Sequence, residues 1–463
     1  MGRFRVQFLH KGLVLDHAEK RTIWRIVLPA MVELVLSQLF AMVDTIMLGQ
    51  SSMSAVAIAA VGLTNNPVNM VNGVLTALHI GTTAAIAWAV GAGDQQAARA
   101  VTRTALTLSL LLGLLASAVL FFPAGPLVTF MGAQADTYPY AKEYMQIVAL
   151  GMLPAMVGFG CTASLRGVGL TRLPMAYNLA GNLLNVVGNY ALIYGHFGLP
   201  ALGVTGAAIS TTLSRYVSCA LALAVIFCGH SKVRVRLGED FRLHRRWLSR
   251  ILGVGVTGSL EQLVMQVGFI LFTRTVSGLG TVIFAAHQIG LSVNGLTWMP
   301  GQAFAVAATT LVGQSMGAGE PERAKTFTRV IWRYSLLTAA GIALLFLTCS
   351  QFIVRAYTND PEVERLAATV LKIIAVGMPG IATQLPIAAA LRGAGDSRFP
   401  LYASAIGIWV FRVLVAPLFV YTFGWGLNGA WYTIALDQTA RAVVVYWRFK
   451  TDKWMHMKAK LAG

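Results

Sequence analysis

Apolar runs of about 20 residues, the length at which a helix crosses a bilayer, recur from one end of this chain to the other. Few folds tolerate that pattern. In lipid every backbone N–H and C=O must be satisfied within the segment, which leaves helices and closed barrels. The period-2 alternation of barrel strands is missing, so helices remain. Twelve spans are expected, at approximately 23–48, 54–90, 99–122, 138–164, 173–194, 204–228, 250–273, 281–313, 325–349, 363–390, 399–421 and 428–448. The second and eighth exceed one straight crossing, so part of each is expected to tilt or bend. Composition agrees: 56% of residues are hydrophobic and 12% charged, where soluble domains carry about 25% charged residues.

A net charge of +18 raises the question of a nucleic-acid partner. Its location excludes one. With the N-terminus inside, the inward segments hold 26 Lys and Arg, seven of them between Lys232 and Arg250, while the outward segments hold Lys142, Arg274, Arg355 and Arg365. That bias places both termini in the cytoplasm. It also predicts that the loop HSKVRVRLGEDFRLHRRWLSR, 230–250, lies against anionic headgroups. Cys161, Cys219, Cys228 and Cys349 stand singly in or beside apolar runs, a pattern of buried small hydrophobes that suggests neither disulfides nor a metal site. No short apolar stretch with a cleavage site precedes the first span, so no leader is expected. The N-terminal segment has the look of a surface helix.

The chain is written twice. SLRGVGLTRLP (164–174) returns as ALRGAGDSRFP (390–400), an offset of 226. The same offset carries VGAGDQQAARAVTR (90–103) onto MGAGEPERAKTFTR (316–329), VALGM (148–152) onto IAVGM (374–378), and Ala59-Ala60 onto Ala285-Ala286. Near the ends, LGVTGAA (202–208) meets GLNGAW (426–431) at an offset of 223. A repeat of this length, coincident with six spans, sets the organisation. It predicts an all-α polytopic membrane protein in two six-helix lobes, 23–228 and 250–448, related by a pseudo-two-fold along the membrane normal. A cytoplasmic segment 1–22, a basic linker 229–249 and a cytoplasmic tail 449–463 complete the chain.

Against this apolar background a few polar residues stand out. Asp44, in LFAMVDTIMLG, is either an ion or proton site or a carboxylate capping the helix at headgroup level; in the membrane it costs at least a few kcal/mol. Asn178, Asn182, Asn185 and Asn189 form one helical stripe, either hydrogen-bonded between helices or lining a cavity. Asn65, Asn69 and Asn72 form a second stripe around Pro67, where a kink competes with a cavity lining. Glu33 lies on nearly the face of Asp44, about 16 Å deeper by helical rise, as a second protonation site or a neutral, hydrogen-bonded acid. Glu261, His287 and Gln288 give the second half its polar groups, His287 as a titrating group or as a satisfied tautomer in the packing. Asp437, with Arg441 four residues on and Arg412 on the neighbouring span, reads as a structural ion pair. GVGVTG (253–258) has the letters of a dinucleotide turn but follows a basic loop and opens an apolar helix, so no nucleotide is expected.

VDTIMLG, the paired GAG and LRG-x-G turns, and AAHQI (285–289) resemble the MATE family, the multidrug and toxic compound extrusion transporters, from about residue 20 to 450. The resemblance implies twelve helices in two lobes and efflux of cationic amphiphiles in exchange for protons or sodium, with no cofactor. It implies that Asp44 is the first-helix aspartate, Asn185 and Asn189 the fifth-helix pair that supports it, and Thr211 a sixth-helix hydroxyl. Asn at 189 is a NorM-like feature where many members have Asp. Two acids of NorM-like members are not matched: Met265 takes the seventh-helix position, with Glu261 one turn earlier, and GMPGIATQLPIAAALRG in the tenth contains none. A neutral Asn189 lowers the negative charge and favours protons over sodium.

The expected protein is therefore a cation-coupled antiporter of a bacterial inner membrane, acting as a monomer on cationic or amphiphilic small molecules. Asn65, Asn69, Asn178 and Asn182 are candidates for its substrate cavity. A lipid-linked precursor flippase is the alternative; it would be expected to line its cavity with several Arg or Lys, whereas most intramembrane basic residues here lie at span ends. A membrane-embedded enzyme and a non-transporting scaffold or receptor are the remaining classes. There is no P-loop, H-E-x-x-H or G-x-S-x-G motif for ATP-driven or hydrolytic work.

Overall fold

The computed structural model describes residues 15–50, 54–229, 231, 233–236, 238–358 and 360–456, so most of the N-terminal segment and part of the tail lie outside it. Among the described residues the secondary structure is helical throughout, without strands. All twelve expected spans fall on helices. Spans one to three are His17–Gly49, Ser54–Gly91 and Gln95–Phe121. Span four is a bent pair, Tyr138–Leu150 and Met152–Val168, meeting at 40°. Spans five to ten are Arg172–Tyr194, Gly203–Cys228, Arg245–Ser277, Thr281–Gly317, Pro321–Arg355 and Pro361–Gly393. Span eleven opens as Arg398–Ile406 and continues in wide π turns, Gly407–Val415 and Leu418–Thr422, before span twelve, Gly426–Lys450.

Eight of these helices, or nine with the bent pair, could cross a membrane on length and apolarity alone. Spans five, eight and twelve are long enough, at 23, 37 and 25 residues. Their polar residues dilute the signal: the four asparagines, His287 with Gln288, and Asp437 with Gln438 and Arg441. Spans two and eight each run as one helix, through Pro67 and Pro300 respectively.

Local chemistry explains the boundaries. Span one starts at a reciprocal cap, in which Asp16 Oδ1 accepts from Glu19 N–H at 2.7 Å and Glu19 Oε2 from Asp16 N–H at 3.0 Å, so two orphan donors are satisfied at once. The repeated turns hold left-handed glycines at matching places: Gly93 and Gly319 at φ 74° and 75°, Gly169 and Gly395 both at 93°. A Cβ is strained in that region, which accounts for glycine at these turn positions in both halves. The LRG glycines serve close packing instead. A Cβ on Gly167 would come within 2.9 Å of Thr83 O, and one on Gly393 within 2.6 Å of Thr309 O. The same threonines donate to the carbonyls of Ala163 and Ala389, at 3.1 and 3.2 Å. Every member of this contact recurs in the second half at the offset of the turns.

The chain divides into two compact units, one comprising Val32–Gly255 and the other Val256–Gly463 together with the residues up to Met31. The divisions fall inside spans one and seven. In the second unit Trp24 packs on Phe304 and Tyr334, with ring centroids 6.0 and 5.4 Å away, and Glu19 pairs with Arg323. In the first, Gly81 leaves no room for a side chain against Ile251 O, and Gly255 meets Leu78. Each unit has its own apolar core: Met145, Met152, Met156 and Leu120 in the first, Trp431, Leu371, Ile374 and Met378 in the second. Span one (17–49) maps onto span seven (245–277) at an offset of 228, two more than the turns show.

Candidate functional site

In the first unit, spans one and five present their polar stripes to each other. Toward the N-terminal end of span one Glu33 is 8% exposed and takes Arg166 Nη2 at 3.0 Å and Asn178 Nδ2 at 2.7 Å. Asn182 donates to Ser37 at 3.2 Å. Asn189 Nδ2 donates to Asp44 Oδ1 at 2.8 Å. Asn185, with its amide nitrogen turned toward the carboxylate, donates to Asp44 Oδ2 and Oδ1 at 2.9 and 3.0 Å and accepts from the Thr211 hydroxyl at 3.3 Å. That orientation pairs donors with acceptors at both ends of the amide. The result is a hydrogen-bonded ladder along the two helices, from an ion pair to a half-buried carboxylate. Asn185 and Asn189 are buried, and Asn189 Oδ1 has no partner among the described residues. A buried acceptor left open beside a carboxylate suits a proton or a small cation.

The four asparagines thus divide by partner. Asn185 and Asn189 meet Asp44 and Thr211, whereas Asn178 and Asn182 are committed to Glu33 and Ser37. Asn65 and Asn69 stand exposed on span two and take no part in the ladder. Helix capping is not what Asp44 does, because span one continues to Gly49 and its partners are side chains of span five.

The second unit repeats the ion pair and omits the carboxylate. Glu261 takes Arg392 Nη2 and Ser404 Oγ, both at 2.6 Å. Glu261 follows Glu33 at the offset that relates spans one and seven, while Arg392 follows Arg166, and Ser404 follows Asn178, at the offset of the turns. Sequence reasoning assigned both arginines to cytoplasmic loop ends and so missed these pairs, although the matched offsets were in plain view. At the place of Asp44 the second half has Phe272. Its charges lie elsewhere: Asp437, fully buried, takes Arg412 Nε at 2.6 Å and Arg441 Nε and Nη2 at 2.5 and 2.9 Å, the ion pair the spacing predicts. His287 is fully buried among Phe272, Phe284 and Trp431 with neither ring nitrogen partnered, while Gln288 beside it is exposed.

Among the described residues Glu33, Glu261 and Asp437 each face an arginine, and the hydrogen-bond partners of Asp44 are the amides of Asn185 and Asn189. Neutral donors can be exchanged for a proton or a cation. The arrangement at Asp44 is a carboxylate held by neutral donors, without a cationic partner among the described residues.

Known proteins carry the same architecture. The MatE family model matches residues 29–191 and 259–418. The chain is 33% identical over 442 residues to a probable multidrug resistance protein NorM of Thermotoga maritima, covering 94% of this chain and 93% of that one. It is 28% identical over 452 residues to the multidrug resistance protein PmpM of Pseudomonas aeruginosa, covering 94% and 92%. Among solved structures, an outward-facing multidrug resistance MATE family transporter of the MOP superfamily superposes with a TM-score of 0.86 at 25% identity, over 93% of this chain and 95% of that one. A MATE crystal structure in complex with MaD3S gives 0.87 at 24% identity over the same shares, a likeness of fold. These relatives are transporters and not enzymes. With a two-unit helical fold, a repeated set of turns and a family match over most of its length, the chain belongs to the MATE family of multi-pass membrane transporters.

Proposed function

We propose that this chain is an antiporter that exports cationic amphiphilic compounds in exchange for protons, with sodium the less favoured ion, and that Asp44 is its coupling group. One observation carries the reading: Asp44 is the intramembrane acid whose partners are all neutral. Asn185 and Asn189 hold the carboxylate with N–H donors, and the Thr211 hydroxyl fixes the far end of the Asn185 amide. A sodium ion would need several oxygens directed at one point, whereas a proton needs the carboxylate alone. Loading a proton from outside removes the charge that attracts a cationic substrate, and releasing it inside restores that charge. Proton and substrate then compete for one carboxylate, which gives exchange rather than leak. The names of the relatives, multidrug resistance proteins, support a broad substrate range.

The basic bias of the inward segments supports cytoplasmic termini and a bacterial inner membrane. Separate compact units, each with its own core, support a monomer that works by rocking two lobes. Purified protein in proteoliposomes, given first a proton gradient and then a sodium gradient, tests the reading by the movement of a fluorescent lipophilic cation. Efflux driven by the proton gradient is expected; efflux driven by sodium alone would replace the proton with sodium, and efflux driven by neither would refute coupling.

A further inference from the structure

Where spans eleven and twelve meet, the second unit buries two arginines against one acid. Its buried charged side chains are Glu261, Asp396, Arg412, Asp437 and Arg441. Glu261 is paired with Arg392 and Asp396 with Arg448. Asp437 is shared by Arg412 and Arg441. Among the described residues, one guanidinium charge is therefore left without a counter-charge in the interior, where an uncompensated ion is costly.

The surplus sits at Arg412. Arg441 binds both oxygens of Asp437, but Arg412 reaches the carboxylate through Nε alone. Its two terminal nitrogens meet no acceptor among the described residues, although the side chain is 5% exposed. The guanidinium lies over Phe269 and Phe272, 4.9 and 5.9 Å from their ring centroids. The Phe272 ring is in turn 5.9 Å from the imidazole of His287, and that imidazole 5.5 Å from the indole of Trp431. Both are buried, and His287 Nδ1 and Nε2 and Trp431 Nε1 have no partner among the described residues. Indole N–H and guanidinium N–H can only donate. An unpartnered N–H on each of two buried rings, beside a guanidinium that shares its counter-charge, leaves acceptors and negative charge in short supply. One ligand supplies both.

We propose that Arg412, together with His287 and Trp431, binds a small monovalent anion of the halide class inside the second unit. One surplus charge calls for a single negative charge, and aromatic neighbours favour a weakly hydrated ion. The polarity is opposite to that of the first unit: where span one carries Asp44, span seven carries Phe272, and Arg412 rests against it. This site is independent of the coupling role given to Asp44.

The test uses the purified full chain in detergent. Its thermal midpoint is followed as potassium bromide replaces potassium gluconate at constant ionic strength. A saturable rise of the midpoint is expected, because a ligand that binds only the folded state stabilises it by mass action. Arg412→Gln leaves Asp437 and Arg441 as a neutral pair and should melt alike in bromide and gluconate. Iodide quenching of tryptophan fluorescence gives a second readout: a saturable component is expected in the wild type and should vanish in Trp431→Phe. If Arg412→Gln does not fold, that comparison alone decides. Equal bromide responses in the wild type and Arg412→Gln, or a quenching curve unchanged by Trp431→Phe, would overturn the proposal.

Discussion

Replacing Asp437 by alanine should be the most damaging single substitution among the buried acids of this chain. The carboxylate is fully buried and accepts three charge-assisted hydrogen bonds, from Arg412 Nε and from Arg441 Nε and Nη2. Alanine leaves two guanidiniums facing each other in the interior, Arg441 without any exposure. Removing one partner of a buried pair costs about 3–5 kcal/mol, chiefly because the other charge stays behind. Two pairs share this carboxylate, so their losses overlap rather than add, and the upper end of that range is expected. That is a large part of the roughly 5–15 kcal/mol by which proteins are stable. The assay is the yield of monodisperse protein after graded heating in detergent. Asp437→Leu with Arg412→Met and Arg441→Met should recover the midpoint, since apolar replacements of a buried charge cluster are neutral or stabilising. Wild-type melting by Asp437→Ala would refute the reasoning, for it would mean that water reaches the guanidiniums.

Gly167→Ala and Gly393→Ala should each destabilise by about 1–3 kcal/mol through overpacking, Gly393 more, because its Cβ would come closer to a backbone carbonyl (2.6 against 2.9 Å); thermal melts of the two variants check the order. Glu33→Gln and Glu261→Gln should lower stability by similar amounts, about 1–3 kcal/mol each as a hydrogen bond loses its charge, since the two acids hold equivalent partners; unequal melting shifts would show that the repeated clamps do different work. For orientation, Gly198→Cys should react with an impermeant thiol reagent applied to intact cells and Glu320→Cys should not. Labelling at 320 from outside would reverse the topology drawn from the basic residues.

The spans were legible because an unbroken apolar run of bilayer length has one stable solution in lipid, and the turns because GAG and LRG-x-G repeat their letters. The left-handed glycines 93, 169, 319 and 395 show why those letters stay. Asp44 was legible too, as a charge that apolar neighbours make expensive. A helical repeat reveals the stripe that holds Asn185 and Asn189, and the family resemblance singled those two out as its partners. What the stripe could not show is that its inner half turns to Glu33 and Ser37. Pairings between groups far apart in the chain, such as Arg166 with Glu33, depend on tertiary packing that a linear pattern does not encode. The π turns of span eleven, which carry Arg412, have no periodicity distinct from that of an ordinary apolar helix.

The central claim is that Asp44 exchanges a coupling ion with substrate, and Asp44→Asn tests it most directly. The amide keeps the size and polar contacts of the carboxylate, and a neutral group is easier to bury, so the protein should fold and Asn189 can still partner it. Drug binding should weaken only moderately, because apolar and aromatic walls supply much of the affinity for an amphiphile. Gradient-driven movement should stop. Wild type and variant are reconstituted side by side, a proton gradient and then a sodium gradient is imposed, and the flux of a fluorescent lipophilic cation is measured. The account predicts binding without driven flux in the variant; flux at the wild-type rate would contradict it and move the coupling site away from Asp44.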